Sequence, residues 1–491
     1  MAACHDPIAV RSRYLLALLT AVCGCGEGGG APPKGPPIPV AAPSGPPQAE
    51  APVDGAANLQ ASADAAPDGQ VAIDVPASSA GPVGHLTGPS RLTHVFQVLA
   101  NLEDGHRHDD ARILQFGDSH TASDLGVAVF RRALQARFGE GGRGFVPFGK
   151  PWKGFIEDGV RGGMDKEFES TKVKYHKGGA FTGLDGCYGL LGIGIQTEKG
   201  GATAWTDITA RAPHVEMAYG QGPHGGSFDV LIDGARAGRI ATRATDPGGG
   251  FFAFDVTDAP HHVEVRTVGD GEVRIYGMNL DRHEAGVIVD ALGINGAQIF
   301  TPLRWGEACF AEQVRHVSPD LVVLAYGTNE AVEPGLTDAQ MERGLVDMLG
   351  RLARAQPTAS CLLLGPPDLA RHTKGQDDWK TWPRLPEIVA IEKRVAEAAG
   401  CAFYDQMEAM GGPGSMAQWS SEADARGGRD RVHLTRTGYA QLATSFATDL
   451  MRAYDDWRAE HGLAPGAAPA PLPAPHSLRR EHARTWGTAS R

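Results

Sequence analysis

The sequence contains no run of about 18 apolar residues, the length a helix needs to cross a bilayer, so no membrane-spanning helix is expected. Its seven cysteines form no Cys-x-x-Cys pair and no Cys/His cluster, which argues against a zinc ribbon or finger. Positive charge is in short supply. The 46 Lys and Arg are outnumbered by 58 Asp and Glu, and the net charge of −12 argues against a nucleic-acid partner. Glycine and proline, at 65 and 34 of 491 residues, are abundant instead, which implies that part of the length does not join a packed core.

Both ends have that composition. Arg11 and Arg13 precede the apolar run from Tyr14 to Val22, too short to span a bilayer and typical of an export signal. The run ends in Val22-Cys23-Gly24-Cys25-Gly26, which resembles a bacterial lipoprotein processing site. Cys25, preceded by a small residue, is the expected lipidation point. Cys23 fits less well behind the larger Val22, and an ordinary secretory cut is the alternative. Residues 26–88 are rich in Ala, Pro, Gly and Ser and read as a disordered tether. Residues 461–491, with Arg479, Arg480, Arg484 and Arg491, read as a disordered tail. These features predict an exported chain, lipid-anchored in a bacterial envelope, whose one contact with the membrane is the anchor.

The middle alternates apolar runs with helical patterns. Residues 112–116, 287–292, 321–325, 361–364 and 402–404 read as buried strands. Helices are expected after Leu125, over 341–352, after Pro386, and from Thr435, a suitable N-cap. Five strands with intervening helices predict an α/β fold with a five-stranded parallel sheet. Residues 156–285 break the rhythm with short, glycine-bounded runs at 173–176, 189–197, 214–219, 228–232, 251–256, 262–268 and 272–278. That spacing predicts an inserted β-sandwich. The catalytic domain is then discontinuous, 89–155 joined to 286–460.

Four motifs follow strand ends or precede the last helix: Gly117-Asp118-Ser119-His120, Gly293-Ile294-Asn295-Gly296-Ala297, Gly327-Thr328-Asn329-Glu330 and Asp430-Arg431-Val432-His433. In a parallel sheet such loops gather at the carboxyl edge. A serine hydroxyl needs an adjacent base to act as a nucleophile. His433 is that candidate, and Asp430 can hold its imidazole. The Ser119 N–H, the Gly296 N–H and the Asn329 amide are candidate oxyanion donors.

With these residues the sequence resembles the SGNH/GDSL hydrolase superfamily, whose four blocks match Ser119, Gly296, Asn329, and Asp430 with His433. The resemblance implies ester hydrolysis by a Ser-His-Asp triad, without metal or cofactor. The Gly-Asp-Ser-His-Thr form, the block Leu292 to Ala297 and the inserted β-region look like bacterial peptidoglycan O-acetylesterases. That implies removal of acetyl groups from an acetylated glycan, with an O-acetyltransferase and a non-catalytic glycan-binding lipoprotein as alternatives.

Other residues stay open. Trp379 and Trp382, after the strand at 361–364, suit a sugar-binding or a core role equally, and Trp152 and Trp305 share that ambiguity. His106, His108, Asp109 and Asp110 fit no metal-ligand spacing and read as a solvated loop. Cys361 and Cys401 are disulfide candidates in an exported chain, and Cys187 and Cys309 have no assigned role.

Overall fold

The computed structural model describes residues 83–153, 155, 157–173, 185–372 and 378–466. The signal, Cys23, Cys25, residues 26–82 of the tether and most of the tail lie outside them.

Strands β1 (Leu86–Thr87), β2 (Asp110–Gly117), β3 (Gly286–Gly293), β4 (Leu321–Ala325), β5 (Ser360–Leu364) and β6 (Ala402–Tyr404) form one sheet. Their spatial order is β1-β6-β5-β4-β2-β3. The last five are the five apolar runs of the sequence, and they are parallel. Helices α1 (Thr93–Glu103), α2 (Leu125–Phe138), α3 (Glu307–Val317), α4 (Asp338–Ala355), α5 (Leu385–Ala399) and α6 (Arg436–Glu460) cover the sheet. Within β4, Val322 and Leu324 face the core beneath α3, α4 and α5, while Leu321 and Val323 face the one beneath α1, α2 and α6. A strand covered on both faces carries a nearly continuous apolar run, which is why these strands are so visible in sequence. Pro386 sits in the first turn of α5, and the Thr435 side chain caps α6 by accepting from the Gly438 N–H.

By chain order the parallel strands lie second, first, third, fourth, fifth. The winding therefore reverses between β2 and β4, where an open α/β sheet leaves a crevice at its carboxyl edge.

Two antiparallel sheets precede β3. One orders Ala235–Ala241, Ser227–Ile232, His261–Thr267, Thr203–Ile208 and Val160–Met164. The other orders Gly248–Asp255, His214–Gln221, Val273–Asp281, Ile193–Thr197 and Glu169–Lys172. Alternate residues such as Val215, Met217, Val263 and Val265 fill one core between them. Of the run at 173–176, Val173 follows the strand Glu169–Lys172, and the remainder lies outside the described residues.

Three features depart from the sequence reading. The tether ends earlier than 88, because β1 pairs antiparallel with β6 and Leu86 is fully buried. The antiparallel region begins before 156, because Gly142–Val146 already pairs with Val273–Asp281. The second antiparallel sheet is also fused to the parallel one. Its Ile193, Ala218 and Tyr276 share a core with Trp305 and Phe310, Phe251 stacks on His316 of α3, and a Cys187–Cys309 disulfide joins the two regions. Cys361 and Cys401 form a second disulfide, across β5 and the residue before β6.

A buried ion pair adds to the join. The Arg112 guanidinium donates to Asp290 at 2.7 Å and to the Asn279 side chain at 2.8 Å, while Asp290 accepts the Phe145 N–H at 2.5 Å. Removing one partner strands the other charge without water, at a cost of about 3–5 kcal/mol. Asp290→Ala is therefore expected to destabilise by about that much in urea unfolding. A loss under about 1 kcal/mol would mean that water replaces the carboxylate.

Candidate active site

β2 stops at Gly117, and the next residue caps a new helix: the Asp118 carboxylate accepts the His120 N–H at 2.9 Å. Ser119 thus becomes the first residue of the short helix Ser119–Ala122. Two glycines let the surrounding loops close. A Cβ on Gly117 would lie 2.2 Å from Thr121 Oγ1, and one on Gly293 would lie 2.1 Å from the Ala122 nitrogen. The crevice-side ends of β2, β3 and β4 can meet only because these positions carry no side chain.

His433 arrives from the loop before α6. Its Nε2 lies 2.9 Å from Ser119 Oγ, and its Nδ1 lies 2.7 Å from Asp430 Oδ2. The other Asp430 oxygen accepts the backbone N–H groups of Val432 and His433 at 3.1 and 3.0 Å. Burial pushes the Asp430 carboxyl upward. The hydrogen bonds from the imidazole and the two N–H groups outweigh that and hold it below the usual carboxylate range. An ionised Asp430 on Nδ1 keeps the proton there and leaves the Nε2 lone pair facing the serine hydroxyl. The side chains of His433 and Asp430 remain 43% and 52% exposed, so a bulky substrate has access to them.

The candidate oxyanion donors lie just after the carboxyl ends of β2, β3 and β4. Gly296 is exposed, has φ +75°, and has open space where a Cβ would project. The backbone N–H groups of Ser119 and Gly296 make no hydrogen bond within the described residues. Asn329 Nδ2 donates to the Ala297 carbonyl at 2.8 Å. That bond fixes the amide plane and ties the Asn329 loop to the Gly296 loop. The second amide hydrogen has only a 3.5 Å contact to Asp118.

Behind this front lie residues that the sequence reading left without a role. His120 Nδ1 pairs with the Tyr439 hydroxyl at 2.9 Å, and its ring lies 5.2 Å from that of His433. Burial, together with His433, pushes His120 down to about 3, so it backs the site as a neutral ring. Burial likewise pushes Asp118 up to about 6, against the hydrogen bonds from the His120 N–H and the Thr328 hydroxyl. The Gly-Asp-Ser-His spacing marks these two residues, but only the fold reveals Tyr439, 319 residues from His120.

The two tryptophans part company. Trp379 has the Arg431 guanidinium 3.9 Å from its ring centroid, so one face of the indole clamps the loop carrying Asp430 and His433. Trp382 lines a groove of about 420 Å³ with Val332, Leu336, Arg371 and Arg384. Val332 lies in the same short helix as Asn329, Thr328–Val332, so the groove opens within a turn of that amide. Trp305 is a core residue whose indole donates to the Gly189 carbonyl, and Trp152 packs against the same core.

Residues 264–441 match the model of the GDSL-like lipase/acylhydrolase family. That span holds Gly296, Asn329, Asp430 and His433 but not Ser119, which the antiparallel sheets separate from them in sequence. A solved peptidoglycan O-acetylesterase is 26% identical and matches with a TM-score of 0.62 over 76% of this chain and 100% of its own. A family two carbohydrate esterase from Clostridium thermocellum, in complex with cellohexaose, is 10% identical with a TM-score of 0.23, over 55% of this chain and 95% of its own. An acetyl xylan esterase is 20% identical with a TM-score of 0.25, over 33% and 79%. No curated protein sequence matches the chain. The family match over 264–441 and the match to a solved peptidoglycan O-acetylesterase over that protein's whole length, on a chain that brings a serine, a histidine and an aspartate together at the switch point of its sheet, support a carbohydrate esterase similar to the SGNH/GDSL hydrolases and, within them, to the peptidoglycan O-acetylesterases.

Proposed function

We propose that the chain removes O-acetyl groups from a cell-wall polysaccharide, peptidoglycan, through a Ser119–His433–Asp430 triad. The observation that carries this reading is the hydrogen-bonded line from Ser119 Oγ to His433 to Asp430, at 2.9 and 2.7 Å. Ser119 Oγ attacks the acetyl carbonyl carbon while His433 Nε2 takes its proton. The charge that develops on the carbonyl oxygen meets the N–H groups of Ser119 and Gly296 and the Asn329 amide. As the intermediate collapses, the carbon–oxygen bond to the sugar breaks, and His433 returns its proton to the departing sugar oxygen. Water, deprotonated by the same histidine, then attacks the acetyl-serine; the bond from the acyl carbon to Ser119 Oγ breaks, the serine oxygen takes the proton back from His433, and acetate leaves.

The glycan part of the reading rests on the relative matched over its whole length and on the openness of His433 and Asp430, which suits a polymer. We assign the two antiparallel sheets as an inserted β-sandwich domain that positions the strand, with Trp382 lining its path. The export signal, the lipid on Cys25 and the tether complete the proposal, because an anchored tether lets the site sweep the wall near a membrane. Acetate release should be measured on O-acetylated peptidoglycan, acetylated xylan and a small aryl acetate. Preference for peptidoglycan by kcat/KM is expected. Preference for xylan would overturn the substrate, and an acetylated acceptor sugar in place of free acetate would make the enzyme a transferase.

Asn329→Ala is expected to lower kcat by about 10²–10³ with little change in KM, because an oxyanion donor acts on charge that develops in the transition state. Steady-state kinetics on the aryl acetate measures this. A rise in KM alone would make Asn329 a substrate-binding residue.

A further inference from the structure

A second chemical cluster lies about 25 Å from the catalytic loops, the length of the eight-residue β3 at its usual rise. Just before β3 begins, the turn residue His283 adopts φ +52°. That left-handed conformation is uncommon for a residue with a side chain and is enriched where local function holds it. It brings the His283 ring within 3.9 Å of the ring of His214, centroid to centroid. His214 opens the strand His214–Gln221, and Asp255 closes its neighbour Gly248–Asp255, directly opposite.

Each imidazole has one nitrogen beside a carboxylate. His214 Nδ1 lies 2.8 Å from Asp255 Oδ1, and His283 Nδ1 lies 3.3 Å from Asp281 Oδ1. The carboxylate at His283 Nδ1 fixes that tautomer and leaves its Nε2 lone pair available to a ligand, while His214 Nδ1 and Asp255 Oδ1 are close enough for one ion to take both in place of the proton between them. Potential ligand atoms of His214, Asp255 and His283 all lie within 4.8 Å of one another. The two carboxylates supply negative charge to the cluster. The adjacent Arg282 does not cancel it, because its guanidinium is engaged by Asp258 and Glu284.

We propose that His214, His283 and Asp255 bind a divalent transition-metal ion of the zinc type, with Asp281 orienting His283. Two imidazoles and a carboxylate suit zinc, nickel or copper and disfavour calcium and magnesium, which want an all-oxygen shell. The ligands come from two paired strands and from the turn that leads into β3. The ion therefore pins the antiparallel region to the strand that carries the Gly293–Gly296 loop at its far end, and its role is structural.

Isothermal titration of the tag-free full chain with zinc tests this, after demetallation with EDTA and alkylation of free thiols. One saturable equivalent is expected, with a melting temperature that rises with zinc and does not respond to calcium. His214→Ala and His283→Ala should each remove the saturable event. Asp281→Asn should weaken it by about 10–100-fold, the usual effect of removing an orienting carboxylate. His262→Ala, on the other antiparallel sheet, should leave it intact. A wild-type chain with no saturable site overturns the proposal. So does one equivalent of zinc retained by the His214→Ala/His283→Ala double variant.

Discussion

Ser119→Ala is expected to reduce kcat on the aryl acetate by at least about 10⁴, with the melting temperature unchanged within a degree or two. The serine oxygen supplies the bond that forms the acyl-enzyme, and no neighbouring group can replace it. His120 is half-buried and held by Tyr439, Thr121 is buried and accepts from the Gln115 amide, and Ser123 donates to the His120 carbonyl. What survives is attack by water assisted by His433 and the oxyanion donors, which together still exceed the uncatalysed rate. Stability should hold because the cap of this helix is the Asp118 side chain, and Ser119 itself is only half-buried. Circular dichroism and single-turnover kinetics on purified protein separate the two effects. A serine-directed organophosphate should label the wild type at this residue and the variant not at all. Substantial turnover by a folded Ser119→Ala protein would mean that another nucleophile does the work.

The legible parts of this molecule are those in which local physics and global fold agree. The five parallel strands are largely apolar on both faces, and β2, β3 and β5 end at or beside a glycine, so strand ends and chemistry could be read together. Gly117-Asp118-Ser119 and Gly327-Thr328-Asn329 are examples. The rest depends on partners far away in sequence. β1 is two residues inside an Ala/Pro-rich stretch, and nothing local reveals its pairing with Tyr404. Gly142–Val146 carries two glycines that weaken its pattern, yet the adjacent strand accepts it. Ala235–Ala241 is largely exposed and lacks an alternating apolar face, so it shows as a strand only through its hairpin with Ser227–Ile232. The Cys187–Cys309 bond spans 122 residues. These same long-range ties mean that cutting out residues 160–282 would expose Trp305, Phe310 and Arg112. Point substitutions on its surface are therefore the sound way to test what the antiparallel region recognises.

His433→Ala should cost nearly as much as Ser119→Ala, about 10⁴ or more in kcat, and the double variant should be no worse than either alone. The two residues perform one step: without the base the hydroxyl keeps its proton, and without the hydroxyl the base has no nucleophile to activate. Asp430→Ala should cost less, at or below about 10⁴. Its role is to orient and stabilise the imidazolium, and at 52% exposure water can take over part of it. The openness of the site gives a sharper check. His433 is 43% exposed on its side chain, so small imidazole can diffuse into the space left by His433→Ala and accept the Ser119 proton. Added imidazole should therefore restore part of the His433→Ala rate in a saturable manner, and should do nothing for Ser119→Ala. Rescue of both variants would indicate imidazole acting directly on the ester in solution. A His433→Ala protein that keeps more than a tenth of the wild-type kcat would remove His433 from the role of base and leave the serine to be activated from another side of the crevice.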